Sequence, residues 1–130
     1  MMTPSFSKKE LECKCGCGLA RFHPGFLNAI QGLRDELGLP MTLTSACRCA
    51  KHNAAEGGKP KSFHIGDEAN HNGQEGAMAI DVATPNGEFR GKLFAIAWAR
   101  GFSVGWNAKK GFLHLDLRTE LGLQQTTFDY

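Results

Sequence analysis

A chain of 130 residues and 14.2 kDa has room for one ordinary domain. With 42% apolar residues, nine Phe and two Trp it can bury about two-thirds of its unfolded surface, which excludes the disordered class. Basic residues are scattered among nearly as many acidic ones for a net charge of +2, and the longest apolar run, 93–99, is far short of a bilayer span; neither nucleic acid nor membrane insertion is indicated.

The opening Met1-Met2-Thr3-Pro4-Ser5 lacks a basic-then-apolar signal, so a monomer made in the cytoplasm without a signal peptide is the expectation. A Cys-rich segment, 6–18, comes first. Pro24 then opens a helix in which Leu27, Ile30, Leu33 and Leu37 share one face, and Gly38 and Pro40 close it. Residues 41–44 read as a short strand, and 46–61, with Gly57-Gly58 and Pro60, as a long polar loop. A second strand covers 77–82. A second helix follows over 88–100, with Phe89, Leu93, Ile96 and Ala97 inward and Gly101 as its stop. Residues 102–104 form a third strand, 107–111 a turn, and 112–117 a last strand that alternates cleanly. There Leu113, Leu115 and Leu117 point to a core while Phe112, His114 and Asp116 share the other face. The fold class is α+β, a small antiparallel sheet with helices packed on one face and the opposite face free for a site.

Two carboxylates sit where carboxylates are depleted, Asp81 in one apolar strand and Asp116 in another. A buried carboxylate needs a cation or a dense set of donors. The chain offers His64, His71 and His114 as neighbours, and two His plus one carboxylate with an open position is a catalytic zinc set. The same residues have plainer readings. His114 and Asp116 can be the wet face of a half-exposed strand, His23 and His52 surface residues, and Trp98 and Trp106 packing residues. Spacing alone leaves the choice open.

Ser62-x-His64, Ala79-x-Asp81 and the run from Phe112 to Arg118 together resemble zinc peptidases of the D-alanyl-D-alanine carboxypeptidase and L-alanyl-D-glutamate endopeptidase superfamily, which share a hedgehog-like fold. The likeness is to short phage and prophage members, whose chains also begin like the run from Phe6 to Gly18. It continues through Leu33-Arg34, the run from Leu43 to Arg48, His52-Asn53, Gly57-Gly58 and the final aromatic Tyr130, in the family's order. The resemblance implies one zinc peptidase domain over 1–130, with His64, Asp81 and His114 holding one catalytic zinc. Arg48 would stabilise a developing oxyanion or hold a substrate carboxylate, with Ser62 and Trp106 also on the substrate side. It further implies amide hydrolysis in peptidoglycan stem peptides, of the L-Ala-D-Glu or D-Ala-D-Ala type, by a lysis enzyme acting at the host wall after release. The alternative is a non-catalytic zinc module of the same fold, binding the wall or serving structure.

Two features depart from the family pattern. Its first His and Asp stand about seven positions apart, whereas here a loop of about ten residues, 67–76, is inserted between them, at little cost in closure entropy. That insert carries His71, an alternative ligand to His64. Many relatives also place an acid three positions before the last His, where this chain has Gly111. Asp116 is the chosen substitute, about 7 Å along the strand from His114 and near enough to act on a metal-bound water or to orient the ligand. Glu75 and His71 come next.

The five cysteines fall in two clusters, Cys13, Cys15 and Cys17, then Cys47 and Cys49. Their spacing is not a zinc ribbon. For a chain made in a reducing cytoplasm, reduced packing thiols are the first reading, a disulfide between the clusters the second and a second, Cys-bound zinc the third.

Overall fold

Helix α2 (Phe26–Leu37) is built on Phe26, Ile30, Leu33 and Leu37, whose spacing lays one stripe against the core. It starts two residues beyond Pro24, with the Phe26 N–H on the His23 carbonyl at 3.0 Å. That start makes Phe26 the deep residue and leaves Leu27 half-buried, a correction to the expected stripe. Gly38, at φ 68°, ends the helix by donating its N–H to the Arg34 carbonyl, a left-handed stop that glycine adopts without strain. The computed structural model describes residues 2–67 and 76–130. Most of the insert expected at 67–76, including His71 and Glu75, therefore lies outside the described residues.

Before α2, the short helix α1 (Lys8–Leu11) is held by a reciprocal cap in which Ser7 and Glu10 satisfy each other's backbone N–H, and it buries Leu11. After α2 come β1 (Leu43–Ser45), α3 (Ala50–Ala55), β2 (Ala79–Ala83), α4 (Gly87–Ala99), β3 (Ser103–Asn107), β4 (Phe112–Asp116), a 3-10 turn at Arg118–Leu121 and β5 (Thr127–Asp129). The five strands form one sheet in the order β1-β2-β4-β3-β5. The first three pairings are antiparallel, as the alternation implies, while β5 joins β3 in parallel at the edge. The fold is α+β.

Register sorts the side chains by face. Ile80, Leu115 and Val104 are cross-strand neighbours in one row and Val82, Leu113 and Trp106 in the next, and these rows belong to the core shared with α2 and α4. Each fully buried aliphatic side chain contributes about 1.5–3 kcal/mol. The alternate row runs Ser45, Asp81, His114, Gly105, Phe128 across all five strands. Chemistry and core are thus separated by the pleat alone.

The chemical face is not bare. Within the expected loop, Cys49 caps α3 by accepting the His52 N–H on its sulfur at 3.4 Å, and Ala-rich residues carry the helix for six positions. Without an apolar stripe, this short helix has no periodic signature in the sequence. The following stretch folds back on Arg48, whose N–H meets the His64 carbonyl at 2.8 Å and whose carbonyl accepts from Gly66 at 2.9 Å. Residues 45–66 therefore roof the face on which His114 lies. Among the described residues no helix is long and apolar enough to cross a membrane.

Candidate metal centre and cleft

His64 arrives from the roof, with its backbone N–H on the Ser62 hydroxyl at 3.2 Å and its ring fully buried. Its Nδ1 lies 2.7 Å from the Ala46 carbonyl, which can only accept, so the proton sits on Nδ1 and the Nε2 lone pair points inward. On β4, His114 places Nε2 2.8 Å from Asp116 Oδ2 and donates there, leaving Nδ1 as its free acceptor. Asp81 from β2 completes the set. Its Oδ1 is 3.1 Å from His64 Nε2 and 3.1 Å from His114 Nδ1, and those two nitrogens are 3.2 Å apart.

Three lone-pair atoms at this separation, in a buried site, repel one another unless a cation lies among them. The triangle also suits zinc, whose ligands at about 2.0–2.1 Å in tetrahedral array lie about 3.3 Å apart. The electrostatics agree for His64 and Asp81. Burial holds the His64 imidazole below its ordinary value, so it is a neutral ligand. Burial pushes Asp81 upward, but the two imidazoles outweigh it and keep its carboxyl well below the usual carboxylate range. For His114, burial is overcome by its bonds to Asp116 and Asp81, which raise it. The residues present fit a zinc ion.

Around this centre lies a cleft of about 1040 Å³, the upper size for a small-molecule pocket and ample for an extended peptide. Arg48, Ser62, Asp81 and His114 line it, while His64 lies beneath its floor. The Arg48 guanidinium is fixed by Nε to Ser45 Oγ at 3.0 Å, Nη1 to Asn53 Oδ1 at 3.2 Å and Nη2 to Asp81 Oδ2 at 3.5 Å. Asn53 is itself held through the Lys59 carbonyl at 2.8 Å. Lys14, Lys59, Lys61 and Lys110 give the cleft wall a positive character.

Two expected site residues are placed elsewhere. Trp106 lies on the core face, its ring 4.9 Å from Phe94, because β3 pairs it with Leu113 rather than His114. It does not line the cleft. Asp116 shares a face with His114 as alternation requires, yet it is fully buried behind the imidazole and absent from the cleft wall. Its Oδ1 accepts from the Arg118 backbone N–H and Nε, both at 3.0 Å, and its Oδ2 from Arg118 Nη2 and His114 Nε2, both at 2.8 Å. Burial raises the Asp116 carboxyl, but His114 and Arg118 bring it down to about 2. Of the two roles expected of Asp116, orienting His114 fits this placement, whereas exchanging a proton with water in the cleft does not.

The aromatic wall had no role assigned from sequence. Tyr130 stacks on the His114 ring at 4.4 Å, and Phe128 lies 5.7 Å from it, with the Arg118 guanidinium 4.9 Å above the Phe128 ring. Burial, reinforced by the Asp81 charge, pushes the Tyr130 hydroxyl up to about 12. Both rings cross β3 at Gly105, where a Cβ would meet Phe128 at 2.7 Å. The only sequence signal for them is the Thr-Phe-Asp-Tyr alternation at 127–130, too short to read as a strand. Gly111 likewise has a structural reason. At φ 74° it closes the β3–β4 hairpin, its N–H on the Asn107 carbonyl at 2.9 Å, and a side chain in this left-handed conformation is strained.

The model of one protein family, described as peptidase M15, matches residues 4–116, which take in all three converging ligands. Neither the curated proteins nor the solved structures compared with the chain give a match.

Proposed function

The chain belongs to the peptidase M15 family, and from that premise we propose that it is a zinc-dependent peptidase acting on the stem peptides of peptidoglycan. The observation that carries this reading is the convergence of His64 Nε2, Asp81 Oδ1 and His114 Nδ1 within 3.2 Å of one another beside a basic cleft. When bound, zinc there would polarise the scissile carbonyl and lower the pKa of a water. The protein's own groups do the rest. Asp116 holds the His114 ring in the tautomer that exposes Nδ1, and the Ala46 carbonyl holds His64 in the opposite tautomer, which exposes Nε2.

Arg48, braced by Ser45 and Asn53, offers its guanidinium either to the oxygen that gains charge during attack or to a carboxylate of the peptide. Ser62 fixes the backbone of His64 from the cleft wall. Since Asp116 is turned away, we assign the proton acceptor to the other carboxylates that line the cleft, Glu56 just after α3 or Asp129 of β5. A hedgehog-like fold, L-Ala-D-Glu or D-Ala-D-Ala cleavage, and release of a phage or prophage lysis enzyme from the host cytoplasm to the wall complete the proposal.

Mass spectrometry of purified bacterial muropeptides incubated with the protein, with and without a zinc chelator, tests it. Chelator-sensitive appearance of new termini is expected and identifies the scissile bond. Zinc-loaded protein that yields no products across several wall chemotypes overturns it in favour of a non-catalytic zinc module, a reading that the absence of an acid at Gly111 favours.

A further inference from the structure

Four of the five thiols meet at one point, in a group separate from His64, Asp81 and His114. The sulfurs of Cys13, Cys15, Cys17 and Cys49 all lie within 4.8 Å of one another. Cys13 is 3.4 Å from Cys15 and 3.8 Å from Cys49, and Cys15 is 3.8 Å from Cys49. Four sulfurs about 2.3 Å from a tetrahedral zinc would lie about 3.8 Å apart. All five cysteines are free thiols, so no covalent pairing has claimed any of the four.

The backbone is arranged around this point. Gly16 and Gly18, at φ 89° and 78°, let Cys13, Cys15 and Cys17 turn three thiols inward over five residues. Amide donors point at sulfur, the Cys49 N–H at Cys13 and the His52 N–H at Cys49, each at 3.4 Å. Such donors favour thiolate over thiol. Cys47, two residues from Cys49, stays outside. Its sulfur turns to the Arg21 carbonyl at 3.6 Å, and burial pushes its thiol up to about 11. That separation accounts for the odd number of cysteines, four in a cluster and one in the core.

We propose that Cys13, Cys15, Cys17 and Cys49 bind a structural zinc ion that ties the N-terminal segment to the start of α3. Four thiols give up their protons as the ion enters, leaving a tetrathiolate site of net charge −2. The site has a consequence for the cleft, since Lys14 and Arg48, each next to a ligand in the chain, both line it. Neither of the other two sequence readings requires four sulfurs to converge, because packing thiols need no common centre and a disulfide needs only two.

The test is metal and thiol stoichiometry on the full chain purified without oxygen from zinc-supplemented medium. Two zinc ions per chain are expected, falling to one in Cys15→Ser/Cys17→Ser and to one in His64→Ala/His114→Ala. Five thiols should titrate in denaturant with chelator and no reductant. Cobalt loaded into His64→Ala/His114→Ala should show thiolate-to-cobalt charge-transfer absorption, a readout that holds even where the Cys variant does not fold. A single zinc that depends only on the histidines, absence of the charge-transfer band, or a thiol count of three would each overturn the proposal. This site and the peptidase reading fail separately: muropeptide turnover with one His-dependent zinc sinks only the former, and two zinc ions without turnover only the latter.

Discussion

Asp116→Asn is a near-isosteric change with a consequence that can be worked out atom by atom. The two carboxylate oxygens accept four hydrogen bonds, three from Arg118 and one from His114 Nε2, all at 2.8–3.0 Å. An amide replaces one oxygen by an NH₂, which then confronts N–H groups whichever way it is turned. Charge-assisted bonds of this kind contribute about 1.5–3 kcal/mol each. Removing one member of a buried pair costs about 3–5 kcal/mol, which for a domain of this size is about 10–20 °C in Tm.

The same substitution deprives His114 of its anionic acceptor, so zinc affinity should fall about 10–100-fold. Zinc competition against a chromophoric chelator, thermal melting, and muropeptide turnover at rising zinc measure the three effects. Turnover should recover at saturating zinc, because an orienting residue acts through the ligand it holds. The reasoning is refuted if zinc affinity is unchanged while turnover is lost at every zinc concentration, for then Asp116 acts on the proton itself.

His64→Ala should abolish the chelator-sensitive zinc of the His-Asp-His centre, read by metal analysis, whereas retention of that zinc would transfer the ligand role to His71. Gly58→Ala drives a Cβ into the Asn53 amide, which braces Arg48; kcat/KM should fall about tenfold with zinc content unchanged, each tenfold being about 1.4 kcal/mol of lost transition-state stabilisation. Gly105→Ala forces Phe128 and Tyr130 off β3 and should destabilise by about 1–3 kcal/mol in denaturant melts. Gly111→Glu, which supplies the acid other relatives carry, should instead cost about 1–2 kcal/mol because position 111 is left-handed; higher activity at undiminished stability would contradict that account.

Local pattern carried a large share of this protein. The alternation of 112–117 separates Leu113 and Leu115 from His114 and Asp116, and a period of two admits no other division. The apolar stripes of α2 and α4 and their Gly38 and Gly101 stops follow from turn geometry within a few residues. Asp81 and Asp116 stand out because carboxylates inside apolar strands need partners, which is a statement about composition and burial alone. Partner choice is a different matter. That Trp106 faces the core depends on its register with Leu113, and that Asp116 backs His114 depends on Arg118 taking its remaining acceptor sites. The parallel edge strand β5 is three residues long and acquires its place only by pairing with β3. Likewise the meeting of Cys49 with Cys13, Cys15 and Cys17 spans more than thirty positions of chain, and the exclusion of adjacent Cys47 follows from which way the backbone turns there. Periodicity and turn chemistry are local and can be read along the chain, whereas convergence of side chains on one point is a property of the closed sheet and its roof, and only the tertiary structure decides it.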